Sequence, residues 1–304
     1  MIGFLAFILF FIHDAPRASA FNPSTHPLTS QYSVKCRQHQ PSVLFMGWGQ
    51  DPIWTDATVV SNISCSPSGN FAQVVVDVSN DVMEGYRVPG QYVQLMKKSS
   101  DNEENKPIFL AIASPPPLES ESETATCSME FLIKKTDNND WITSASESTE
   151  VSISQVLGSG FNIEEHFEGF QYDFPCQNIL LFANGSGIAP LKAAVESQQL
   201  NLSSGRTARL YYGVTSLEDM PYADKFKEWE VKGVEVVPVV SRPEECGQEW
   251  MGRTGYVQNV LEEDGVPIPR NTGALLCGVK GMTEAVKDLL TRAGVFEGRL
   301  LTNF

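Results

Sequence analysis

Residues 179–190 read ILLFANGSGIAP, and this stretch decides the class of the fold. The apolar run predicts a buried strand, the glycines predict a tight turn, and Pro190 predicts the start of a helix. Glycine lets the main chain approach a ligand closely, and the free amides at a helix start attract anions. The pattern therefore predicts a nucleotide-binding turn, with a ligand-free strand-to-helix turn as the alternative. The candidate contact residues are Gly185, Ser186, Gly187, Ile188, Ala189 and Pro190.

A second turn of the same kind follows in residues 274–282, which read ALLCGVKGM. An apolar strand again ends in glycine before an amphipathic helix. Ligands of open parallel sheets bind outside the carboxyl ends of the strands, so the two turns predict one shared crevice. Cys277 and Gly278 are expected at its mouth; for Cys277 the alternative is an ordinary place in the core.

The two turns together resemble those of the ferredoxin–NADP reductase-like superfamily. There the glycine turn holds the pyrophosphate of a nicotinamide nucleotide, and the cysteine–glycine pair lies beside the nicotinamide ring. The resemblance continues through LYYG at 210–213, VPVVSRP at 237–243 and GYVQ at 255–258, and it covers roughly residues 54–304. Residues 109–116, FLAIASPP, and 154–161, SQVLGSGF, resemble the plastid "fruit protein" branch first named from kiwifruit.

The region before the nucleotide turn contains short segments rich in β-branched and aromatic residues. Strands are predicted at residues 71–78, 91–95, 109–113, 129–134 and 150–153. They predict a small antiparallel barrel, which in the resembling superfamily has six strands. From Asn178 onward strands alternate with helical patterns, which predicts a parallel sheet. The expected fold is a β-barrel plus an α/β domain, with a flavin-binding barrel over residues 51–172 and an NAD(P)-binding domain over residues 173–304.

The first fifty residues have the composition of a targeting segment. Met1 to Ile12 are mostly apolar but too few to span a bilayer, and Ala18-Ser19-Ala20 is a small-residue cleavage site. Residues 21–50 hold no acidic residue and many hydroxyl residues, as transit peptides do. A signal peptide over residues 1–20 followed by Phe21 and a transit-like segment resembles the two-part presequences of algae with secondary plastids. This predicts a plastid protein; a secreted protein with a long leader is the alternative.

The charge of the chain restricts its partners. The formal net charge is −15, and residues 1–50 carry +2, so residues 51–304 carry −17. Nucleic acids and anionic membrane surfaces are therefore disfavoured partners. Plant-type ferredoxin, which is itself acidic, is disfavoured for the same reason, and the electron acceptor stays unknown. The histidines form no metal or triad pattern, and the cysteines lack the spacing of an iron–sulfur cluster.

The flavin residues of the superfamily are largely missing. Its barrel strand carries arginine, any residue, tyrosine and serine, where the arginine pairs with the flavin pyrophosphate and the tyrosine covers the ring. The corresponding residues here are Ile108, Phe109, Leu110 and Ala111. The resemblance leaves Tyr92 and Ser114 as candidate flavin contacts. FAD is the expected cofactor, and a flavin-free nucleotide-binding protein on a decayed reductase scaffold is the alternative.

The resemblance also assigns residues that bind the adenosine end of the nicotinamide nucleotide. Ser241 and Arg242 match a serine–arginine pair that binds the 2′-phosphate of NADP, and Tyr256 matches a tyrosine that stacks on adenine. The expected lysine is Thr254, and Arg253 is expected to replace it because guanidinium binds phosphate well. NADP is therefore favoured, with NAD left open. Phe304, the last residue, matches an aromatic gate over the flavin, and Cys277 and Phe304 are the candidate catalytic residues of hydride transfer.

Overall fold

The computed structural model describes residues 51–98, 106–117, 127–169, 172–247 and 249–303. The predicted signal peptide and transit segment lie outside the described residues, as does Phe304. In the described part of the chain, no helix is long and apolar enough to cross a membrane.

Six strands form an antiparallel sheet that curls into a nearly closed barrel. Their order across the sheet is β4-β3-β6-β1-β2-β5, and one bridge, Ile112 to Phe131, links the two edges. Alternate side chains point into the barrel, as in β3, where Val93 and Leu95 are fully buried. The strands are β1 (Trp54–Ser64), β2 (Phe71–Asp77), β3 (Tyr92–Lys97), β4 (Ile108–Ala111), β5 (Ser128–Lys134) and β6 (Glu150–Ser154).

Short helices connect the barrel strands and lead out of the barrel. They are α1 (Asn80–Glu84), α2 (Asp140–Thr143) and α3 (Ile163–Phe167). The predicted division at residue 172 falls between α3 and the first strand of the second sheet.

The second sheet is parallel and has the order β10-β9-β8-β7-β11-β12. Every residue of β11 is buried, because helices or the barrel cover both faces of the sheet. Its strands are β7 (Asn178–Asn184), β8 (Thr207–Val214), β9 (Val234–Val240), β10 (Arg253–Thr254), β11 (Thr272–Cys277) and β12 (Leu300–Thr302). Its helices are α4 (Ile188–Glu196), α5 (Phe226–Val231), α6 (Val257–Asp264) and α7 (Lys280–Ala293).

The strand order places the crevice where the sequence predicted it. The chain runs outward from β7 through β8, β9 and β10, and then returns to add β11 and β12 on the other side of β7. The carboxyl ends of β7 and β11 are therefore neighbours at the point where the strand order reverses. The predicted barrel followed by a parallel α/β sheet is confirmed.

A buried ion network joins the barrel to the helix of the glycine turn. Lys192 of α4 is 4% exposed and donates to Glu130 of β5 (3.1 Å), to Glu196 (2.8 Å) and to the carbonyl of Ala113 (3.3 Å). The Tyr222 hydroxyl donates to the same Glu130 at 2.6 Å. Because a buried charge is costly without its partners, this network holds β5 and α4 in one fixed arrangement.

Candidate functional site

The glycine turn opens into free space at its first glycine. Gly185 has φ +53°, in the left-handed region, and a Cβ added there would find no atom within 4 Å. The Tyr212 hydroxyl donates to the Gly185 carbonyl at 3.1 Å and holds the turn in place. Ser186 is exposed beside it. The main chain at Gly185 and Ser186 is thus fixed and open to a ligand.

Gly187 has a different reason to be glycine. Its φ is −63°, an ordinary helical value that any residue can adopt. A Cβ on Gly187 would overlap the carbonyl of Cys277, with the carbonyl carbon only 2.7 Å away. Gly187 therefore lets the two predicted turns pack together. The helix also begins earlier than predicted, at Ile188, after a 3-10 turn over Gly185–Gly187.

Cys277 is both buried and at the crevice. It ends β11, is 6% exposed and lines the cavity described below, so the two alternatives for this residue are not exclusive. Burial raises the pKa of the Cys277 thiol to about 12, and the thiol is therefore protonated at neutral pH. Gly278 packs against Asn184, since a Cβ there would lie 3.0 Å from the Asn184 Cβ. A neutral thiol fills space and positions a neighbour; it is no nucleophile.

A cavity of about 530 Å³ lies between the barrel edges and the glycine turn, and we call it the ring cavity. Its barrel wall is formed by β4 and by the end of β5, and its other wall by the ends of β7 and β11. The predicted residues that line it are Gly185, Ser186, Gly187, Ala189, Cys277 and Gly278. Ile188 and Pro190 are buried in the first turn of α4 and do not line it.

The barrel wall carries Ile108 at the position predicted for the flavin arginine, and it supplies an aromatic ring one position away from the expected tyrosine. Ile108 and Leu110 pack against the barrel core. Phe109, between them, is 61% exposed and lines the ring cavity. Its ring centroid is 6.1 Å from that of Tyr92. The sequence pattern missed Phe109 because the face it occupies depends on the pairing of β4 with β3.

The two residues expected to contact flavin do not line the ring cavity. Tyr92 packs over Gly158, where a Cβ would come within 2.8 Å of the ring. The Ser114 hydroxyl accepts a hydrogen bond from the Glu130 amide at 3.2 Å, and the Ser114 carbonyl accepts one from the Tyr86 hydroxyl at 2.6 Å. Ser114 is therefore engaged within the barrel. Tyr92 is partly exposed and its ring lies beside that of Phe109.

Lys134 is a further functional candidate that the sequence pattern did not single out. It ends β5, is exposed, and lines the ring cavity opposite the glycine turn. The other charged side chain in this lining is Asp219, which accepts hydrogen bonds from Ser68 (2.6 Å) and Asn70 (2.9 Å). A lysine at a strand end has no sequence signature of its own, so only the packing of β5 beside the turn reveals it.

A second cavity, of about 380 Å³, continues from the ring cavity, and we call it the adenine cavity. The two share the lining residues Asn184, Val214, Thr215 and Val279. The structure brings the predicted residues Ser241, Arg242 and Tyr256 together in its wall. Tyr256 is 61% exposed, so one ring face is open for stacking. The two cavities form one continuous groove along the carboxyl edge of the sheet.

The cations near the adenine cavity are paired with acids. Arg242 Nη1 lies 2.9 Å from Glu245 Oε1, and this contact raises the pKa of the guanidinium further. Arg253 forms ion pairs with Asp264 and Glu263 and does not line the cavity. The role expected for Arg253 in place of the missing lysine stays a prediction, and in this structure carboxylates of α6 engage its guanidinium.

The comparisons with known proteins agree with this geometry. Residues 181–288 match the family model of an oxidoreductase NAD-binding domain. The chain is 33% identical over 255 residues to "Fruit protein pKIWI502" of Actinidia deliciosa, which spans 82% of this chain and 76% of that protein. It is 26% identical over 165 residues to one component of the Na(+)-translocating NADH-quinone reductase of Psychrobacter arcticus, covering 53% of this chain and 38% of that component.

Two solved structures share the two-domain fold. A cytochrome P450 reductase from Amycolatopsis superposes with a TM-score of 0.66 at 20% identity, covering 83% of this chain and 70% of that one. A ferredoxin NADP+ reductase from Neisseria gonorrhoeae superposes with a TM-score of 0.64 at 15% identity, covering 83% and 98%. The chain thus belongs to the family of the kiwifruit fruit protein, and it shares its fold with a ferredoxin NADP+ reductase.

Proposed function

We propose that this protein is an NAD(P)H-dependent flavoprotein oxidoreductase that passes a hydride between nicotinamide and flavin. One observation carries the proposal: the adenine cavity runs into the ring cavity at the ends of β7 and β11, where the barrel edge meets the sheet. A nucleotide lying along this groove has its nicotinamide end beside Cys277 and Gly278. A flavin ring held in the ring cavity would be positioned beside it, as hydride transfer requires.

In this proposal the protein binds and orients, while the cofactors carry the chemistry. The backbone at Gly185 and Ser186 receives the nucleotide diphosphate, and Lys134 supplies its countercharge from the barrel side. Ser241, Arg242 and Tyr256 hold the adenosine end. A flavin held in the ring cavity would supply the hydride acceptor and the route for electrons to a further acceptor. The ferredoxin NADP+ reductase of Neisseria gonorrhoeae contains FAD and NADP in a similar fold, which supports this choice of cofactors.

The residues present fit the flavin ring better than they fit the flavin diphosphate. Phe109 offers an exposed aromatic ring, and β4 is an edge strand of its sheet that lines the ring cavity. The arginine clamp is absent, and Ile108 stands in its place. The flavin-free alternative would keep the groove but leave the ring cavity without a role. A direct test adds FAD to the purified protein; bound flavin that NADPH reduces supports the proposal, and failure to bind any flavin favours the alternative.

Nucleotide choice depends on the pair of Arg242 and Glu245. We expect Arg242→Ala to weaken NADPH binding by about 1.5–3 kcal/mol, the range of a charge-assisted contact, and to leave NADH binding almost unchanged. Glu245→Gln frees the guanidinium and should raise the preference for NADPH. Titration of both variants with both nucleotides measures this. Equal losses for NADPH and NADH in Arg242→Ala would show that Arg242 does not bind the 2′-phosphate.

Cys277 is proposed to position the nicotinamide. We expect Cys277→Ala to slow flavin reduction by NADPH by about a hundredfold, the cost of a mis-set reacting pair, with little change in NADPH affinity. Because burial raises the pKa of the thiol to about 12, the wild-type reduction rate should show no titration of Cys277 between pH 6 and pH 9. Stopped-flow reduction across this range checks both points. An unaltered rate in the variant would assign Cys277 to packing alone. Phe304, the proposed gate, lies outside the described residues.

The electron acceptor is proposed to be an external partner other than an acidic ferredoxin. Residues 51–304 carry −17, which repels an acidic protein over long range. Among the described residues, no three metal-ligating side chains lie together as a metal site would need. We place the flavin domain at residues 51–172 and the nucleotide domain at residues 173–304.

We propose a plastid location on the basis of the first fifty residues. A reporter fused to residues 1–50 should enter the plastid of an alga with a secondary plastid. Phe21→Ala should stop it before the inner membranes, because Phe21 becomes the first residue after cleavage. Fluorescence microscopy of both fusions measures this, and secretion of the unmutated fusion would contradict the location.

A further inference from the structure

We propose that the ring cavity binds flavin through its ring system and not through its phosphates, so that riboflavin, FMN and FAD bind with similar affinity and the flavin exchanges with solution. This inference rests on the proposed function. It concerns which part of the flavin the protein recognises.

Positive charge that could bind a flavin phosphate is scarce in the ring cavity. Lys134 is the one cation among the described residues that line the ring cavity. It lies opposite the glycine turn, where the nucleotide diphosphate is proposed to dock. A single lysine cannot neutralise both the diphosphate of the nicotinamide nucleotide and that of FAD. The nucleotide's diphosphate, at the glycine turn, is proposed to be the one that pairs with Lys134. A flavin diphosphate is therefore left without a countercharge.

The barrel wall has no arginine at the position where the superfamily carries the one that binds the flavin diphosphate. Ile108 packs its side chain against the barrel core, and Leu110 does the same. Neither side chain can donate a hydrogen bond. What β4 offers instead is its free backbone edge, because it pairs with β3 on one side only. Alternating N–H and C=O groups suit the amide-like edge of an isoalloxazine ring.

The segment that follows β5 carries exposed carboxylates. Asp137 and Asp140, both exposed, begin a 3-10 turn and α2. Asn139 lines the ring cavity, but its side chain is already engaged: Oδ1 accepts from the Thr136 amide at 2.9 Å and Nδ2 donates to the Lys134 carbonyl at 2.8 Å. A phosphate that leaves the ring cavity on this side meets two carboxylates against the single exposed cation Lys135, and no available donor from Asn139.

The region that contains both domains is strongly acidic. Residues 51–304 carry −17. FMN and FAD are anionic at neutral pH, whereas riboflavin is neutral. Repulsion between like charges falls as salt screens it. Salt should therefore strengthen binding of the phosphorylated flavins, which is the opposite of what a cationic clamp produces.

The experiment titrates the full chain with riboflavin, FMN and FAD and follows the quenching of flavin fluorescence at low and high salt. We expect three dissociation constants within about threefold of each other, because no charge-assisted contact of the usual tenfold to hundredfold effect separates them. Raising the salt should tighten FMN and FAD and leave riboflavin unchanged. FAD binding more than about thirtyfold tighter than riboflavin, and weakened by salt, overturns the inference while leaving the proposed function intact. Failure of all three flavins to bind overturns both.

Two sets of variants separate this inference from its rivals. Asp137→Asn with Asp140→Asn should tighten FMN and FAD relative to riboflavin by about threefold, since two like charges are removed. The matched control, Glu284→Gln with Asp288→Asn on α7, removes two exposed carboxylates that do not line the ring cavity and should leave the ratio unchanged. Lys134→Met should weaken NADPH binding and leave the ratio of FAD to riboflavin unchanged. A selective loss of FAD in Lys134→Met would assign Lys134 to the flavin phosphate and overturn the inference.

Discussion

Replacement of Gly185 by Asn is expected to weaken NADPH binding by about tenfold to a hundredfold, the range for losing a charge-assisted contact to an anion. Asn tolerates the left-handed backbone at φ +53° better than other residues, so the turn should keep its shape. The new side chain enters the open space next to Gly185, where the nucleotide diphosphate is proposed to lie. Isothermal titration with NADPH measures the effect.

A matched control is available at Gly205. It has φ +88° and also has no atom within 4 Å of an added Cβ, but it does not line the groove. Gly205→Asn should therefore leave NADPH affinity unchanged. If Gly185→Asn binds NADPH as tightly as Gly205→Asn does, the glycine turn is not the nucleotide site.

Replacement of Gly187 by Ala is expected to destabilise the α/β domain by about 3 kcal/mol, at the upper end of the cost of overpacking. The added Cβ overlaps the carbonyl of Cys277, which is backbone in a buried strand and cannot move away. Loss of nucleotide binding in this variant is then a consequence of altered packing. Chemical denaturation monitored by tryptophan fluorescence measures the free energy of unfolding.

The contrasting variant is Gly281→Ala in the first turn of α7. An added Cβ there meets no atom within 4 Å, and alanine is a better helix former than glycine. This variant should be neutral or more stable by up to about 1 kcal/mol. A Gly187→Ala protein as stable as Gly281→Ala would show that the two turns are not packed as described.

Local sequence patterns were sufficient for the two turns and for most of the barrel. Five barrel strands follow short apolar segments, and the structure places them within a few residues of their predicted bounds. The strand β1 (Trp54–Ser64) was not predicted. It contains a bulge between Val59 and Ser61, and Asn62 donates to the carbonyls of Ile142 and Ala145. These contacts are made with distant residues, so the local pattern reads as polar and irregular.

The candidate site divides in the same way. Gly185, Cys277 and Arg242 could be predicted because each stands in a motif with a fixed spacing, and the structure places all three along one groove. Phe109 and Lys134 were missed because their importance depends on which strand edge faces the glycine turn. The pairing of Arg253 with Asp264 of α6 could not be predicted, because only the folded chain brings the two together. Partners distant in sequence decide whether a charged side chain is available.

Nicotinamide and flavin are proposed to meet at the junction of the adenine cavity and the ring cavity. The most direct measurement is anaerobic stopped-flow mixing of NADPH with the full chain after riboflavin or FAD has been added, with the visible flavin band followed over time. We expect the band to bleach in a reaction that saturates with NADPH and that slows in Cys277→Ala. A flavin band that stays unchanged while both NADPH and flavin are shown to be bound would show that the two rings do not meet there.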